Sequence, residues 1–421
     1  MKISIVLPSR NNLKYLKWAY AAIRKNQGDH DVEICIADDA SIDGTWSWLQ
    51  KQIKKDKKLV IYRNDGPERV GHTILYDTLV DLATSPICMI YHADMYLVPG
   101  ALDAIEKNMY KRNELNSLQP PTSTYEEIPK TIVSLTRIEP PLHPAGPEKV
   151  LKDWGIEPED FDEKEFLEWA TGFELDGYVQ HRMAIEKAWE TKVTEGVFAP
   201  WAFWKKDFVE IGGHDPLFAP QSKEDSDIFN RFLLNGVKFV QTWEGFVYHM
   251  TCRGSRFNPL LTKPGHNSKE WDEQNLKSSK NFTRKWGSFV KHDPLMKPIV
   301  PPKYDVAIFL KGGAAMLEAL EPWCSHIYVT DPKVATAYIE KEQPNTTMDL
   351  SKRVHSTVDK HPKHDIEVDI NEDLFDQQDY NLVRQLAEII QQNGLVGEFD
   401  LGHLKITIRS LTEYQNNLIR V

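Results

Sequence analysis

The chain opens with β-branched and apolar residues from Ile3 to Leu7 and is halted by Pro8-Ser9-Arg10-Asn11-Asn12. Leu13, Leu16, Ala19, Tyr20 and Ile23 then recur at helical spacing, which predicts strand, polar loop, helix. Val32 to Ala37 repeats the strand pattern and ends in Asp38-Asp39-Ala40-Ser41-Ile42-Asp43-Gly44-Thr45, after which Trp46, Leu49 and Ile53 mark a second helix. Leu59 to Tyr62 gives a third strand, and Gly71 to Ala83 a helix that leads into a strand from Ile87 to Tyr91. Such alternation predicts an α/β fold built on a mostly parallel sheet with helices on both faces. The stretch from Met89 to Pro99 is central, because its apolar run breaks off at His92-Ala93-Asp94. A strand delivering Asp94 to its carboxyl end puts that carboxylate where open α/β sheets bind ligands, suited to hold a cation against a phosphate. The same residues also read as the cap of the helix that begins near Pro99.

Between Lys107 and Val197 the alternation is lost. Pro120-Pro121, Pro140-Pro141 and Pro144 to Pro147 interrupt the chain, and Trp154 to Trp169 reads as an acidic turn followed by a short amphipathic helix. Trp154, Trp169, Trp189, Trp201 and Trp204 crowd this part of a chain with twelve tryptophans, and an indole face can stack on a sugar ring as well as fill a core. Regular patterning returns with the Gly- and Pro-rich loop from Gly212, which runs into Glu224-Asp225-Ser226-Asp227 and the apolar stripe Ile228, Phe232, Leu233. A strand from Lys238 to Thr242 follows. Asp293 to Pro302 reads as a linker, and beyond it Tyr304 to Leu310, a helix from Gly312-Gly313 to Leu320 and His326 to Val329 make a small βαβ unit. An acidic tract from His364 to Tyr380, a helix from Leu382 to Gln391 and a last strand from Leu404 to Ile408 complete it. The expected organisation is a domain over 1–292 with an acceptor-region insertion at about 110–195, a linker at 293–302 and a small α/β accessory domain at 303–421.

Composition narrows the function. A length of 421 residues exceeds what one core usually covers, which agrees with two domains. A formal net charge of -11 argues against a nucleic-acid surface, since phosphate neutralisation needs clustered excess Lys and Arg. An anionic ligand then needs a local site, with a metal as the natural partner. The opening Met1-Lys2-Ile3-Ser4 is already strand-like and leaves no room for a signal peptide, so a cytoplasmic protein is expected. No apolar run approaches the roughly 18 residues of a membrane span, while peripheral membrane contact stays open. Cys35, Cys88, Cys252 and Cys324 form no CxxC pair and read as buried structural thiols.

The candidate chemistry sits at strand ends. Asp38 or Asp39 can accept hydrogen bonds from a base or ribose, although Asp-x-x-Ser-x-Asp-Gly is also rich in turn formers. There is no GxGxxG after the first strand and no GxxxxGK[ST] anywhere, so neither a dinucleotide-binding site nor a P-loop is indicated. His249, in Phe246 to Phe257, offers an imidazole to Mn2+, and Arg253 and Arg256 on a Gly-Ser loop suit a departing pyrophosphate.

Four of these stretches, in order, resemble the motifs of family 2 glycosyltransferases with the GT-A fold. They are Ile3 to Asn12, Ala37 to Thr45, His92-Ala93-Asp94 with Pro99, and Glu224-Asp225. The resemblance covers roughly residues 1–260 and is weak over the insertion. It implies that Pro8, Ser9, Arg10 and Asn11 border a nucleotide, that Asp39 contacts the base with Asp38 beside it, and that Asp94 is the metal-binding acid. Gly71 is counted with the nucleotide contacts, and His92 with Asp94 and His249 as metal candidates. The first acid of the family's DXD motif is His92 here. Asp225 falls on the family's general base, which takes the acceptor proton in an inverting transfer.

The resulting expectation is an inverting glycosyltransferase that uses Mn2+ or Mg2+ and moves a sugar from a nucleoside-diphosphate sugar, UDP-linked by preference, to a hydroxyl of a glycan or other acceptor. The rival of another class is a non-catalytic glycan-binding or scaffold protein that keeps the fold, motivated by His92 and the second domain. A sugar nucleotidyltransferase would want a Gly-rich basic loop after the first strand, which Pro8 to Asn12 is not.

Overall fold

The computed structural model describes residues 1–110, 130–141, 146–151, 164, 191–251, 267–311, 313–356 and 363–419. The chain divides into two compact units. The first comprises Met1–His214, Asn235–Asp272 and His292–Pro298, and the second Asp215–Leu234, Glu273–Lys291 and Ile299–Val421.

The first unit is organised on β1 (Lys2–Ser9), whose interior residues Ile3, Ile5, Val6 and Leu7 are fully buried. It pairs in parallel with β2 (Asp31–Asp39) on one side and β4 (Ile87–Ile90) on the other, and β3 (Leu59–Asn64) extends the sheet beyond β2. Helices α1 (Leu13–Asn26), α2 (Thr45–Gln52) and α3 (Gly71–Leu82) alternate with these strands, as the periodicity predicts. Register then collects the polar strand ends at one edge: Pro8 lies opposite Ala37, Ser9 opposite Asp38, and Asp39 opposite Asn64.

Beyond β4 the chain makes β5 (Met95–Leu97) and α4 (Ala101–Met109). The Pro-interrupted stretch contributes β6 (Thr131–Glu139), β7 (Lys149–Leu151), β8 (Val193–Thr194) and β9 (Trp201–Trp204). All nine residues of β6 are buried, which explains why no two-residue alternation announces it: a strand covered on both faces has no polar side. The short helix α5 (Lys205–Glu210) follows, and β10 (Lys238–His249) is longer than its predicted core. Strand β9 joins antiparallel between β4 and β6, β10 lies parallel to β6, and β5 closes the path antiparallel to β10. Trp201 and Trp204 are buried in β9 and serve the core, while Trp154, Trp169 and Trp189 lie outside the described residues.

The second unit has its own sheet, in the order β13-β12-β11-β14-β16-β15. Its strands are β11 (Val306–Leu310), β12 (His326–Val329), β13 (Val354–Ser356), β14 (Ile366–Ile370), β15 (Gly397–Leu401) and β16 (Leu404–Ile408). The first four run parallel and the last two form an antiparallel hairpin against β14. Helices α6 (Glu224–Leu234), α7 (Lys269–Trp286), α8 (Ala314–Leu320), α9 (Pro332–Glu342) and α10 (Gln377–Asn393) precede or alternate with them. The acidic tract from His364 to Tyr380 holds β14 and the start of α10. There Asp376 and Asp379 form a capping box, reciprocally satisfying backbone donors at the helix start. Cys35, Cys88 and Cys324 are buried free thiols, as their apolar settings suggest, and Cys252 lies outside the described residues. No described helix is long and apolar enough to cross a membrane.

Candidate active site

At the carboxyl edge of the first sheet, two groups of residues meet the expectations drawn from strand ends. The first surrounds Asp38 and Asp39. Asp39 spends both oxygens inside the chain: Oδ1 accepts from Val70 N at 3.0 Å and from Asn64 Nδ2 at 2.7 Å, and Oδ2 accepts from Gly71 N at 3.0 Å. Asp39 therefore ties β3 and the start of α3 to the end of β2, and Gly71, at φ +82°, takes the turn there. Arg10 Nη1 donates to the Asp39 carbonyl at 3.0 Å, and Asn11 bridges to Ser41 Oγ and Ile42 N. Asp38 differs, since Oδ1 accepts from Ser41 N at 3.2 Å while Oδ2 is buried with no hydrogen-bond partner among the described residues. Burial pushes its carboxyl up. Its nearest cation is Arg63, whose Nε lies 3.9 Å from Oδ2, too far for a hydrogen bond, so Asp38 is the better placed of the two acids to receive a donor from a bound molecule. Ser9 Oγ, across the register from Asp38, is likewise buried without a partner.

The second group joins the ends of β4, β6 and β10. His92 and Asp94 lie in the turn between β4 and β5, and the antiparallel pairing of β5 with β10 sets His249 opposite Met95, the residue after Asp94. His249 Nε2 is 3.6 Å from Asp94 Oδ1, and the His92 and His249 rings are 5.5 Å apart. The parallel register of β6 and β10, with Tyr248 opposite Ile138, brings up Glu139. Its Oε1 lies 2.7 Å from His249 Nδ1. Arg137 Nη1 and Lys149 Nζ each approach Glu139 at 3.1 Å, so the buried carboxylate has two cations as well as the imidazole.

The electrostatics follow from this wiring. Burial works to raise the Asp94 carboxyl and is outweighed by His249, leaving it below the usual carboxylate range. For His249, burial lowers and the two carboxylates raise, with the net direction upward. Burial, and then the neighbouring His249, lower His92 to about 3, so it is neutral over the physiological range. Burial and Arg69 likewise lower His72 to about 4.

The donor set suits a divalent cation. Asp94, His92 and His249 each present a ligand atom within 4.8 Å of the others. Glu139 holds the far nitrogen of His249, the outer partner that fixes a metal-ligating histidine's orientation. One carboxylate oxygen and two imidazole nitrogens are a donor set that a divalent metal ion can accept.

Glu224 and Asp225 occupy the first turn of α6, in the second unit. Two left-handed residues, Ser222 at φ +82° and Lys223 at φ +71°, lead into it. The helix is fastened one step further on. Asp227 is fully buried and accepts from Trp286 Nε1 at 2.9 Å, with Lys285 Nζ at 2.8 Å and Arg231 Nε at 2.8 Å. Burial, and then the adjacent Asp225 charge, push Glu224 well above the ordinary carboxyl range. Arg253 and Arg256 lie outside the described residues. Sequence reading singled out Asp94 and His249 but missed Glu139, Arg137 and Lys149. The available signal was the Arg137-Ile138-Glu139 run at the end of an apolar stretch, masked by the prolines behind it.

A mostly parallel sheet gathering acids at its carboxyl edge, with a cation-ready cluster beside them, is consistent with the GT-A fold. Residues 4–157 match the family model described as glycosyl transferase family 2. Over that segment the chain is similar to family 2 glycosyltransferases, as the first three of the four motifs imply. No curated protein matches the chain. Among solved structures, a mannosyltransferase, PcManGT, from Pyrobaculum calidifontis in complex with GDP-Man and Mn2+ is similar at 16% identity and a TM-score of 0.40, over 83% of this chain and 77% of that one. TarS from S. aureus is similar at 12% identity and a TM-score of 0.37, over 60% of this chain and 37% of that one.

Proposed function

We propose that the protein transfers a sugar from a nucleoside-diphosphate sugar to a hydroxyl acceptor with inversion at the anomeric carbon. The observation that supports this most is the buried cluster of Asp94, His92 and His249, braced by Glu139 beside the nucleotide-type strand ends. Pro8, Ser9, Arg10, Asn11 and Gly71 shape the nucleotide side, Asp38 offers an oxygen that makes no hydrogen bond within the described residues to a base or ribose donor, and Asp39 keeps the backbone around them in place. His92, Asp94 and His249 hold the divalent ion, which when bound neutralises charge on the leaving diphosphate. Asp225 takes the acceptor proton, the role the sequence resemblance implies for it. The two imidazole nitrogens favour Mn2+ over Mg2+, which prefers oxygen donors. UDP remains the preferred carrier, Arg253 and Arg256 the preferred contacts to the leaving diphosphate, and a glycan the preferred acceptor.

The test is a panel of nucleotide sugars scored by thermal stabilisation with and without Mn2+, because ligand that binds only the folded state raises its unfolding temperature. A UDP-sugar that stabilises only with metal supports the reading, and NMR coupling constants of the product then assign its anomer. A product that keeps an α-linkage from an α-linked donor would overturn inversion. Absence of metal-linked binding and of donor hydrolysis across the panel would instead favour a glycan-binding protein that retains the fold.

A further inference from the structure

A second imidazole–carboxylate cluster lies wholly within the second unit, and nothing in the transfer chemistry uses it. Asp305 directly precedes β11, His326 opens β12 and His364 lies two residues before β14, so three neighbouring parallel strands bring their amino ends to one spot. His364 Nδ1 is 3.1 Å from Asp305 Oδ2, and His326 Nε2 is 3.7 Å from Asp305 Oδ1. The three ligand atoms all fall within 4.8 Å of one another. A tetrahedral ion with ligands at 2.0–2.1 Å requires donors about 3.3 Å apart, and the two separations, which run to different oxygens of Asp305, lie on either side of that value.

The outer nitrogens make the arrangement more specific than proximity alone. His326 Nδ1 is 3.1 Å from His355 Nε2, and His364 Nε2 is 2.9 Å from Tyr328 Oη. If each outer nitrogen carries the proton and donates to those partners, lone pairs on His326 Nε2 and His364 Nδ1 both face Asp305. That is the second-shell pattern of ligating histidines. The His364 side chain is 5% exposed, whereas those of Asp305 and His326 are 29% and 31% exposed, leaving the Asp305 side reachable from solvent. Nearby cations are already matched: Arg353 Nε pairs with Glu321 and Arg409 Nη1 with Glu367, each at 2.8 Å. By contrast, the grouping of Asp376, Asp379 and His403 is explained by the capping box and carries no ligand argument.

We propose that Asp305, His326 and His364 form a binding site for a borderline divalent cation of the zinc class, with His355 and Tyr328 as orienting partners and water completing the shell. Imidazole with carboxylate selects such ions over Mg2+ or Ca2+. The site is independent of the transfer reading, and its test uses binding alone. In full-length protein with the first cluster silenced by Asp94→Asn and His249→Gln, Co2+ should bind in one equivalent with the visible spectrum of tetrahedral coordination. Adding His326→Gln and His364→Gln should abolish that equivalent, and Tyr328→Phe should weaken Co2+ about 10-fold to 100-fold at unchanged stoichiometry. Asp305→Asn, at a half-exposed position, gives the same readout of lost affinity should the added His326→Gln/His364→Gln pair fold poorly. No Co2+ uptake by the silenced protein, or uptake that survives the His326, His364 and Asp305 substitutions, would overturn the proposal and leave a hydrogen-bonded histidine cluster.

Discussion

The two imidazole–carboxylate clusters use nearly the same side chains in opposite settings. His92, Asp94 and His249 stand at the carboxyl ends of strands of the first sheet, and their outer partner Glu139 is itself charged and compensated by Arg137 and Lys149. Asp305, His326 and His364 stand at the amino ends of strands of the second sheet, and their outer partners are the neutral His355 and Tyr328. A charged outer shell stiffens a site and raises the basicity of its imidazole, which suits an ion that must grip a changing polyanion. A neutral outer shell orients ligands without building such a field. Ligand identity alone therefore does not define a site's task; the surrounding charge and the strand end that carries it also decide.

The largest expected effect lies outside both clusters. Asp225→Asn should lower turnover about 10²-fold to 10⁴-fold while leaving donor affinity nearly unchanged, because general-base assistance is realised in the transition state. Steady-state kinetics beside calorimetric donor binding check it, and an equal loss in both would return Asp225 to a structural role. Stability of the helix that carries it comes next. Asp227→Ala removes the buried carboxylate that Arg231, Lys285 and Trp286 share, with Lys285 keeping Asp215 at 2.7 Å, and should cost about 3–5 kcal/mol, read by urea unfolding.

Glu139→Gln sharpens the contrast between the clusters. It should weaken metal binding at the first cluster about 10-fold to 100-fold and leave the second cluster's Co2+ uptake untouched, as seen in paired titrations. The smallest effect is a pH dependence at Glu224. Its folded-state pKa lies above the unfolded value near ~4.3, so between the two the unfolded chain ionises first and binds fewer protons. This contribution to stability is present below the unfolded pKa and is lost as pH rises toward the folded one. Glu224→Gln should flatten that fall, and urea midpoints on either side of neutrality will show whether it does.

The α/β alternation of the first 110 residues was legible because each strand ends in polar turn formers and each helix shows an apolar stripe. His326 to Val329 and Leu404 to Ile408 were legible for the same reason. Strand β6 was not, since both its faces are covered and prolines flank it, and with it went Glu139, the residue that braces His249. Asp38 and Asp39 were found as a pair, but only their hydrogen bonds separate the acid that anchors backbone from the acid with an oxygen to offer. The second cluster was invisible in one dimension. Its ligands lie 21 and 38 positions apart, too far for any local spacing rule, and parallel pairing alone brings them together.

The anchoring of Asp227 also bears on how the chain is made. Leu217 and Phe218 share a small core with Phe282 and Trp286, and Leu234, Met348 and Leu418 pack against it. During synthesis the segment that carries Asp225 emerges well before these later partners. At 5–20 residues per second, the roughly 180 residues from Leu234 to Leu418 take on the order of 10–40 s to appear. For that interval the helix that carries Asp225 has no finished core to dock on, and its apolar stripe is open to wrong partners. Strands β1 to β4 have all been made by then, so the sheet edge that carries Asp38 and Asp39 can be complete while the helix that carries Asp225 is still waiting for its support.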